Sequence, residues 1–429
     1  MTPKFLDQIH NLSDSMPAFR ALLLSDTLVL LAEVSRFVIL PWWIASSGGA
    51  NALALYSIAT AVATFLIVPI ASPFGDRYCK AKQITLGLAV LVVAAMALVC
   101  LANAEVFSLA FLTFVGWLQV AALAFVDSAR STILAELVHP DQLPTAIRLR
   151  KTCQAIAGIV GPLIAGLALT TMGTTRSLCL YAMLLVAALF FAKKIPKSDT
   201  GPSPQRGFRR WWRELAGGLS AKWQVPMERG WTAVNFLVWI FQGPLVGMLI
   251  PIRVHTLGLS AGWLGSSLCA LSLGILFGSL FGSEYLVNRF GRYRVRIGLA
   301  FLEGICLAVV GFLESPTLMV CGLAFAGFCN ASMALVGATH RALAIPKTYR
   351  VRLFAASSMT TQVAGSIGPA IVGFALTQWS VNAVYSAFGL LMATSVLGLL
   401  FVPRLNEFLS LEHDQVHDWY LHQYPASFK

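Results

Sequence analysis

Three ionisable residues interrupt one apolar run near the start of the 429-residue chain: Asp26, Glu33 and Arg36. An ionisable group at the centre of a bilayer costs about 2.5–3.5 kcal/mol on insertion scales, so each asks for a partner or a function. Asp26 and Glu33 are seven residues apart, on nearly one helical face with a drift of about 20°. Arg36 is one turn beyond Glu33, within reach of an ion pair. The chemistry this stripe offers is proton exchange. Burial favours a neutral acid and a neighbouring guanidinium favours the anion, so a carboxyl that loses its arginine takes up a proton. Glu33 is the first candidate for the proton carrier, followed by Asp26 and by Asp127, which lies in another apolar run one turn from Arg130. The competing reading of Glu33 and Arg36 is a pair that only satisfies itself.

The elements that position these residues are apolar helices. The chain is 57% hydrophobic and 12% charged with mean hydropathy +0.73, against roughly 25% charged residues in soluble domains. That composition excludes a water-soluble globule, a disulfide scaffold and a disordered chain. At about 20 apolar residues per span, the segments 18–40, 52–74, 84–102, 106–133, 149–171, 178–192, 230–254, 262–286, 297–313, 316–339, 353–377 and 381–402 form two sets of six. The expectation is an all-α integral membrane protein of twelve transmembrane helices in two pseudo-symmetric six-helix bundles. Residues 1–192 form the first bundle and 193–229 a linker; 230–402 form the second bundle and 403–429 a tail.

Charge orients these spans. Of 31 Lys and Arg, 28 fall on one side, with Arg36, Arg176 and Arg253 toward the other. This positive-inside pattern places the linker, the tail and both termini in the cytoplasm. Basic residues scattered over many short loops argue against nucleic-acid binding despite the net charge of +12. Residues 1–17 carry Asp7 and Asp14 with Lys4 alone as a base, unlike a secretory signal. Short loops and no targeting segment point to a bacterial inner membrane. The linker, with Phe208-Arg209-Arg210-Trp211-Trp212-Arg213, reads as an amphipathic segment on the anionic membrane face. Eight cysteines without CxxC spacing read as small core residues. The tail carries His413 and His417 at i,i+4 spacing, yet reads as solvated, so no metal is expected. No GxxxxGK[ST] loop occurs, and neither ATP nor any other cofactor is expected.

The two sets are copies. Residues 156–169 read IAGIVGPLIAGLAL and 363–376 read VAGSIGPAIVGFAL, eight of fourteen identical at an offset of 207. Asp76-Arg77-Tyr78-Cys79-Lys80 matches Asn288-Arg289-Phe290-Gly291-Arg292 at an offset of 212. Adding 209 takes Asp26 to Asn235 and Glu33 to Gln242, acids replaced by amides, which assigns proton coupling to the first half. A duplicated bundle implies two halves around a central path, the arrangement alternating access requires. Asn235, Trp239, Gln242 and Arg253 share a face of the seventh segment. With Trp117 and Gln119 of the fourth, they offer stacking and hydrogen bonds to a small-molecule ligand. Arg36 and Arg253 would attract an anionic one.

These residues resemble the major facilitator superfamily of secondary transporters over nearly the whole chain. The family's loop signature, Gly-xxx-Asp-Arg-x-Gly-Arg-Arg, is matched by Asp76, Arg77 and Lys80, with Ser72 and Cys79 in place of glycines; the second copy keeps Arg289, Gly291 and Arg292, with Asn288 for Asp. The resemblance implies a cytoplasmic gate at these loops, which Arg130 would join by reaching Asp76. Gly158, Gly161, Pro162 and Gly166 resemble the antiporter motif of the fifth helix, repeated as Gly368, Pro369 and Gly373. Leu40-Pro41-Trp42-Trp43 and the stretch from Ser131 to Gly166 look most like siderophore exporters and macrolide-type efflux proteins. The resemblance implies an exporter driven by proton antiport, with a siderophore first and drug-like compounds next as substrate; no nucleophile, metal or carboxylate constellation at a membrane face calls for an enzyme, and a monomer is one of the oligomeric states left open. An importer of a small solute and a lysophospholipid flippase are the alternatives. Glu303, in the ninth segment, receives no role, because the family's corresponding helices are peripheral.

Overall fold

The computed structural model describes residues 17–71, 79–138, 142–196, 216–217, 220, 222–346, 350–412, 415–416 and 419–425. Asp76 and Arg77, the basic Trp-rich linker segment, and His413 and His417 lie outside them. The described chain is helical. In order it forms α1 (Pro17–Ala71), α2 (Lys80–Asn103), α3 (Leu109–Leu137) and α4 (Leu143–Ala192). There follow α5 (Pro226–Thr256), α6 (Ala261–Phe290), α7 (Arg292–Val310), α8 (Pro316–Ala344), α9 (Arg350–Leu376) and α10 (Val381–Val396). Two short helices, α11 (Leu405–Ser410) and α12 (Trp419–Gln423), lie in the tail.

Twelve spans come from ten long helices, because α1 and α4 each hold two. At 1.5 Å per residue, the 55 residues of α1 would reach about 80 Å, far beyond a hydrocarbon core of about 30 Å. The chain turns at Gly49 (φ 75°) in α1 and Gly173 (φ 76°) in α4. A Cβ at either site would meet no neighbouring atom within 4 Å, so the demand for glycine comes from the left-handed backbone itself. Nine helices among the described residues are long and apolar enough to span. α7 is excluded by that criterion because it carries Arg294, Arg296 and Glu303, yet it packs between α8 and α10.

Both faces of these helices are apolar. On α2, Leu88 and Leu91 are fully buried while Leu86 and Val93 are 62% and 65% exposed. A helix apolar all round packs protein on one side and lipid on the other. Small residues bring the buried sides close. A Cβ on Gly274 or Gly278 of α6 would run into the α8 backbone at Ala324 or Phe328.

The chain forms two compact units, Met1–Ala52 with Val62–Gly207, and Leu53–Ala61 with Phe208–Lys429. In the first, α2 packs on α3 and α4; in the second, α6 and α7 pack on α8, and α5 on α9 and α10. The described part of the tail is not solvated, contrary to the sequence expectation. Leu405, Phe408, Leu409, Val416 and Tyr420 are all fully buried and Trp419 is 6% exposed. Removing that apolar area from water outweighs the polarity of the intervening residues. All eight cysteines are free.

Candidate functional site

In the first unit Glu33 and Arg36 form the expected pair, one turn apart on α1. Arg36 Nη2 and Nε donate to Glu33 Oε2 at 2.7 and 2.9 Å, with side chains 14% (Glu33) and 21% (Arg36) exposed. Behind them, Gln119 Nε2 of α3 donates to Tyr181 Oη of α4 at 3.1 Å, and Tyr181 Oη donates to Glu33 Oε1 at 3.4 Å. Gln119 is therefore a buried support of the glutamate at 1% exposure, not a wall for a ligand. Arg36 lines a cavity of about 400 Å³ with Thr64, Val68, Val120, Asp127 and Ser128. Trp117 is 40% exposed and is not among the residues around it.

Asp26 does not share that cavity. It is 2% exposed, and its carboxylate is held by two arginines from different helices, Arg130 Nε of α3 at 2.5 Å and Arg150 Nε of α4 at 2.6 Å. The stripe expected along α1 divides because one face is wide enough for Asp26 to turn into the α1–α3–α4 seam. Arg130 also meets Asp127 at 3.3 Å, and Arg150 Nη1 donates to the Arg130 carbonyl at 3.2 Å. Arg130 is thus paired inside the bundle at 7% exposure, and Asp76, the partner expected of it, lies outside the described residues. Asp127 has a 67% exposed side chain and borders both the Arg36 cavity and one of about 290 Å³ with Arg150, Lys151 and Gln154. The sequence reading missed Arg150; its signal was a guanidinium inside the fifth apolar segment.

In the second unit Asn235, Trp239 and Gln242 line one cavity of about 220 Å³ with Trp231, Arg296 and Asn330. Arg296 is 8% exposed, lies over the Trp231 ring and donates to the Met333 carbonyl at 3.0 Å and to Asn235 Oδ1 at 3.4 Å. Gln242 Nε2 and Asn330 Nδ2 both donate to Glu303 Oε1, at 2.7 and 3.0 Å. Glu303 is therefore part of this polar core. Arg253, expected beside Gln242, is elsewhere: 2% exposed, bonded to Asn382 and, at 3.0 Å, to the Leu313 carbonyl. Burial with neutral oxygen partners replaces the ligand contact expected of it.

A second ion cluster escaped the sequence reading. Glu228 is fully buried and receives both arms of Arg341, at 2.8 and 2.7 Å, while Tyr420 Oη of the tail donates to its Oε1 at 2.5 Å. Lys222 Nζ lies 3.8 Å from Glu228 and donates to Ser357 Oγ at 2.5 Å. Burial lowers the Lys222 amine to about 8, against the pull of Glu228. Burial also pushes the Tyr420 phenol well above its ordinary value, with Glu228 adding to the effect. Of the expected gate residues, Asn288 and Arg289 are exposed and Lys80 begins α2. Arg292 is taken by the tail, donating to the Leu411 carbonyl at 3.0 Å and facing Glu412 at 3.6 Å.

The glycine-proline motif of each unit packs against a helix of its own unit, Gly368 more closely than Gly161. Gly161 of α4 would place a Cβ 3.0 Å from Val34 of α1. Gly368 of α9 would drive one into the Ile240 carbonyl of α5 and within 2.6 Å of Pro244. Pro162 and Pro369 lie inside their helices. Gly158 meets nothing within 4 Å, Gly166 accepts at 3.0 Å from Thr170, and Gly373 would approach Ala54 at 3.0 Å.

Two six-span units with ionisable residues turned inward describe a membrane transporter. The chain belongs to the Major Facilitator Superfamily, which matches residues 22–283 and 245–414. No curated protein sequence matches it. Among solved structures, a mutant of the peptide transporter POT in complex with alafosfalin is similar at TM-score 0.72 and 14% identity, over 92% of this chain and 96% of that one. A bacterial homologue of the iron transporter ferroportin, in an inward-facing state, gives 0.66 and 17% over 92% and 99%. A mutant of the nucleoside transporter NupG gives 0.65 and 12% over 90% and 100%. At these identities the likeness is one of fold.

Proposed function

We propose that this major facilitator transporter exports a small organic molecule in exchange for protons. A siderophore is the leading substrate class and drug-like compounds come next. The observation that carries the reading is the half-buried Glu33–Arg36 pair at the edge of the Arg36–Asp127 cavity. A carboxylate there takes up a proton when Arg36 leaves it as the cavity opens to the other side, and releases the proton when the pair re-forms, which gives a route to exchanging proton for substrate. Tyr181 and Gln119 hold Glu33 in place during that exchange. The Gly161 and Gly368 motifs, which resemble the antiporter signature, support export. The charge distribution supports an inner-membrane location with both termini cytoplasmic.

The test compares medium and cell extracts, by mass spectrometry, from iron-starved strains with and without the protein. Loss of a siderophore from the medium with accumulation inside is the expected result. An unchanged pattern removes that substrate class and brings forward drugs, lysophospholipid flipping and uptake. Glu33→Gln is expected to abolish pH-driven transport in proteoliposomes while the protein remains folded; full pH-driven transport would eliminate Glu33 as carrier.

A further inference from the structure

Glu303 is a carboxyl that packing does not require. By the repeat offset of 212 its counterpart is Leu91 of α2, fully buried, and the counterpart of Arg296 is Ile84, 1% exposed. An apolar side chain fills the same place in the first unit. An acid there costs desolvation that leucine does not.

The surroundings of Glu303 suit a proton. The residue is 3% exposed, and no cation touches it among the described residues. Its Oε1 accepts from Gln242 of α5 and Asn330 of α8, whereas Oε2 has no hydrogen-bond partner among the described residues. On its own helix the facing groups are Arg296 and Cys306. Arg296 is seven residues away, about 10 Å along the axis, and committed to Met333 and Asn235; Cys306 donates to the Gly322 carbonyl at 3.2 Å. From α8 comes Cys329, and from α10 Tyr385, beside Cys306. From α5 comes the neutral amide of Gln242. A buried anion with two amide donors and no ion pair is poorly compensated, whereas a neutral acid needs less.

We propose that Glu303 is a second proton-binding carboxyl of the transporter, governed by Gln242 and Asn330, which also line the 220 Å³ cavity. The proton joins the bare Oε2 and, once Gln242 or Asn330 moves aside, passes to water or ligand in that cavity, whose wall does not include Glu303 itself; no other bond changes. The two donors belong to α5 and α8 while the acid belongs to α7. A movement that separates these helices, or a ligand that claims either amide, therefore alters whether the proton stays. The use of this proton rests on the proton-driven reading above; the existence of the site does not.

Infrared difference spectra of the purified protein test it. The expected result is a protonated-carboxyl band at neutral pH that is absent in Glu303→Gln, retained in Glu33→Gln and lost at alkaline pH. Asn330→Ala should shift the pH of its loss by about one to two units, the worth of a hydrogen bond to a charged group. Glu303→Leu should fold, as Leu91 does in its place, and lack the band. A spectrum of Glu303→Gln identical to wild type at every pH would overturn the site, as would a band indifferent to Asn330→Ala. The band present in a protein that does not move protons would leave the site standing and remove the antiport reading. Proton-driven transport without the band would do the reverse.

Discussion

Each unit ties helices together around a buried acid, and the two do it differently. In the first unit Asp26 is shared by two arginines, Arg130 and Arg150, from separate helices. In the second, Glu228 depends on one bidentate arginine, Arg341, with Tyr420 and a more distant Lys222 completing the shell. The acids are not repeat counterparts. The offset of 209 takes Glu228 back to Phe19, 1% exposed, and takes Asp26 forward to Asn235. The halves therefore keep a task while moving the residues that perform it. The second unit recruits the tail, while the positions equivalent to Asp26 and Glu33, here Asn235 and Gln242, serve Arg296 and Glu303 on α7.

The comparison is sharpest where one partner is removed. Arg341→Met strips Glu228 of its only bidentate partner among the described residues and should cost about 3–5 kcal/mol, the penalty of leaving a buried charge uncompensated. Arg130→Met should cost clearly less, because Arg150 still holds Asp26. Thermal unfolding of both variants in detergent measures the gap, and equal losses would erase the distinction between the clusters.

The glycine contacts should repeat the asymmetry at smaller size. Gly368→Ala meets the α5 backbone and should destabilise by about 1–3 kcal/mol. Gly161→Ala meets only side chains of α1, Val34 nearest, which can yield, and Gly158→Ala meets nothing within 4 Å, so their unfolding midpoints should fall in that order toward wild type.

The second cluster alone should also give a pH slope. Lys222 is lowered to about 8 from 10.5. The unfolded chain therefore binds more protons between those values, and stability should rise with pH across that window. Tyr420 works the other way, because its raised value makes the folded form hold a proton that the unfolded form loses above about 10. Stability should therefore climb from about pH 8 and turn over near pH 10. Lys222→Met should flatten the climb and Tyr420→Phe should remove the fall, as read from unfolding midpoints over pH. A climb unchanged in Lys222→Met would detach the slope from this cluster.

What the sequence determined by itself was whatever the solvent or a single helix dictates. Lipid demands apolar runs of a fixed length, so the twelve spans were readable, and the left-handed turns at Gly49 and Gly173 only decide how two of them join. Glu33 and Arg36 were readable as a pair because one helical turn brings them together whatever surrounds them. Gly161 and Gly368 were readable because a repeat displays itself in sequence. Tertiary structure alone decided the rest. Asp26 finds Arg130 and Arg150 across 104 and 124 residues of sequence, and Tyr420 finds Glu228 across 192. Glu303 gains meaning only when α5 and α8 bring two amides to it. Such contacts depend on which helix faces are neighbours, and an apolar helix surrounded by apolar residues carries no signal in its own sequence for which face that is.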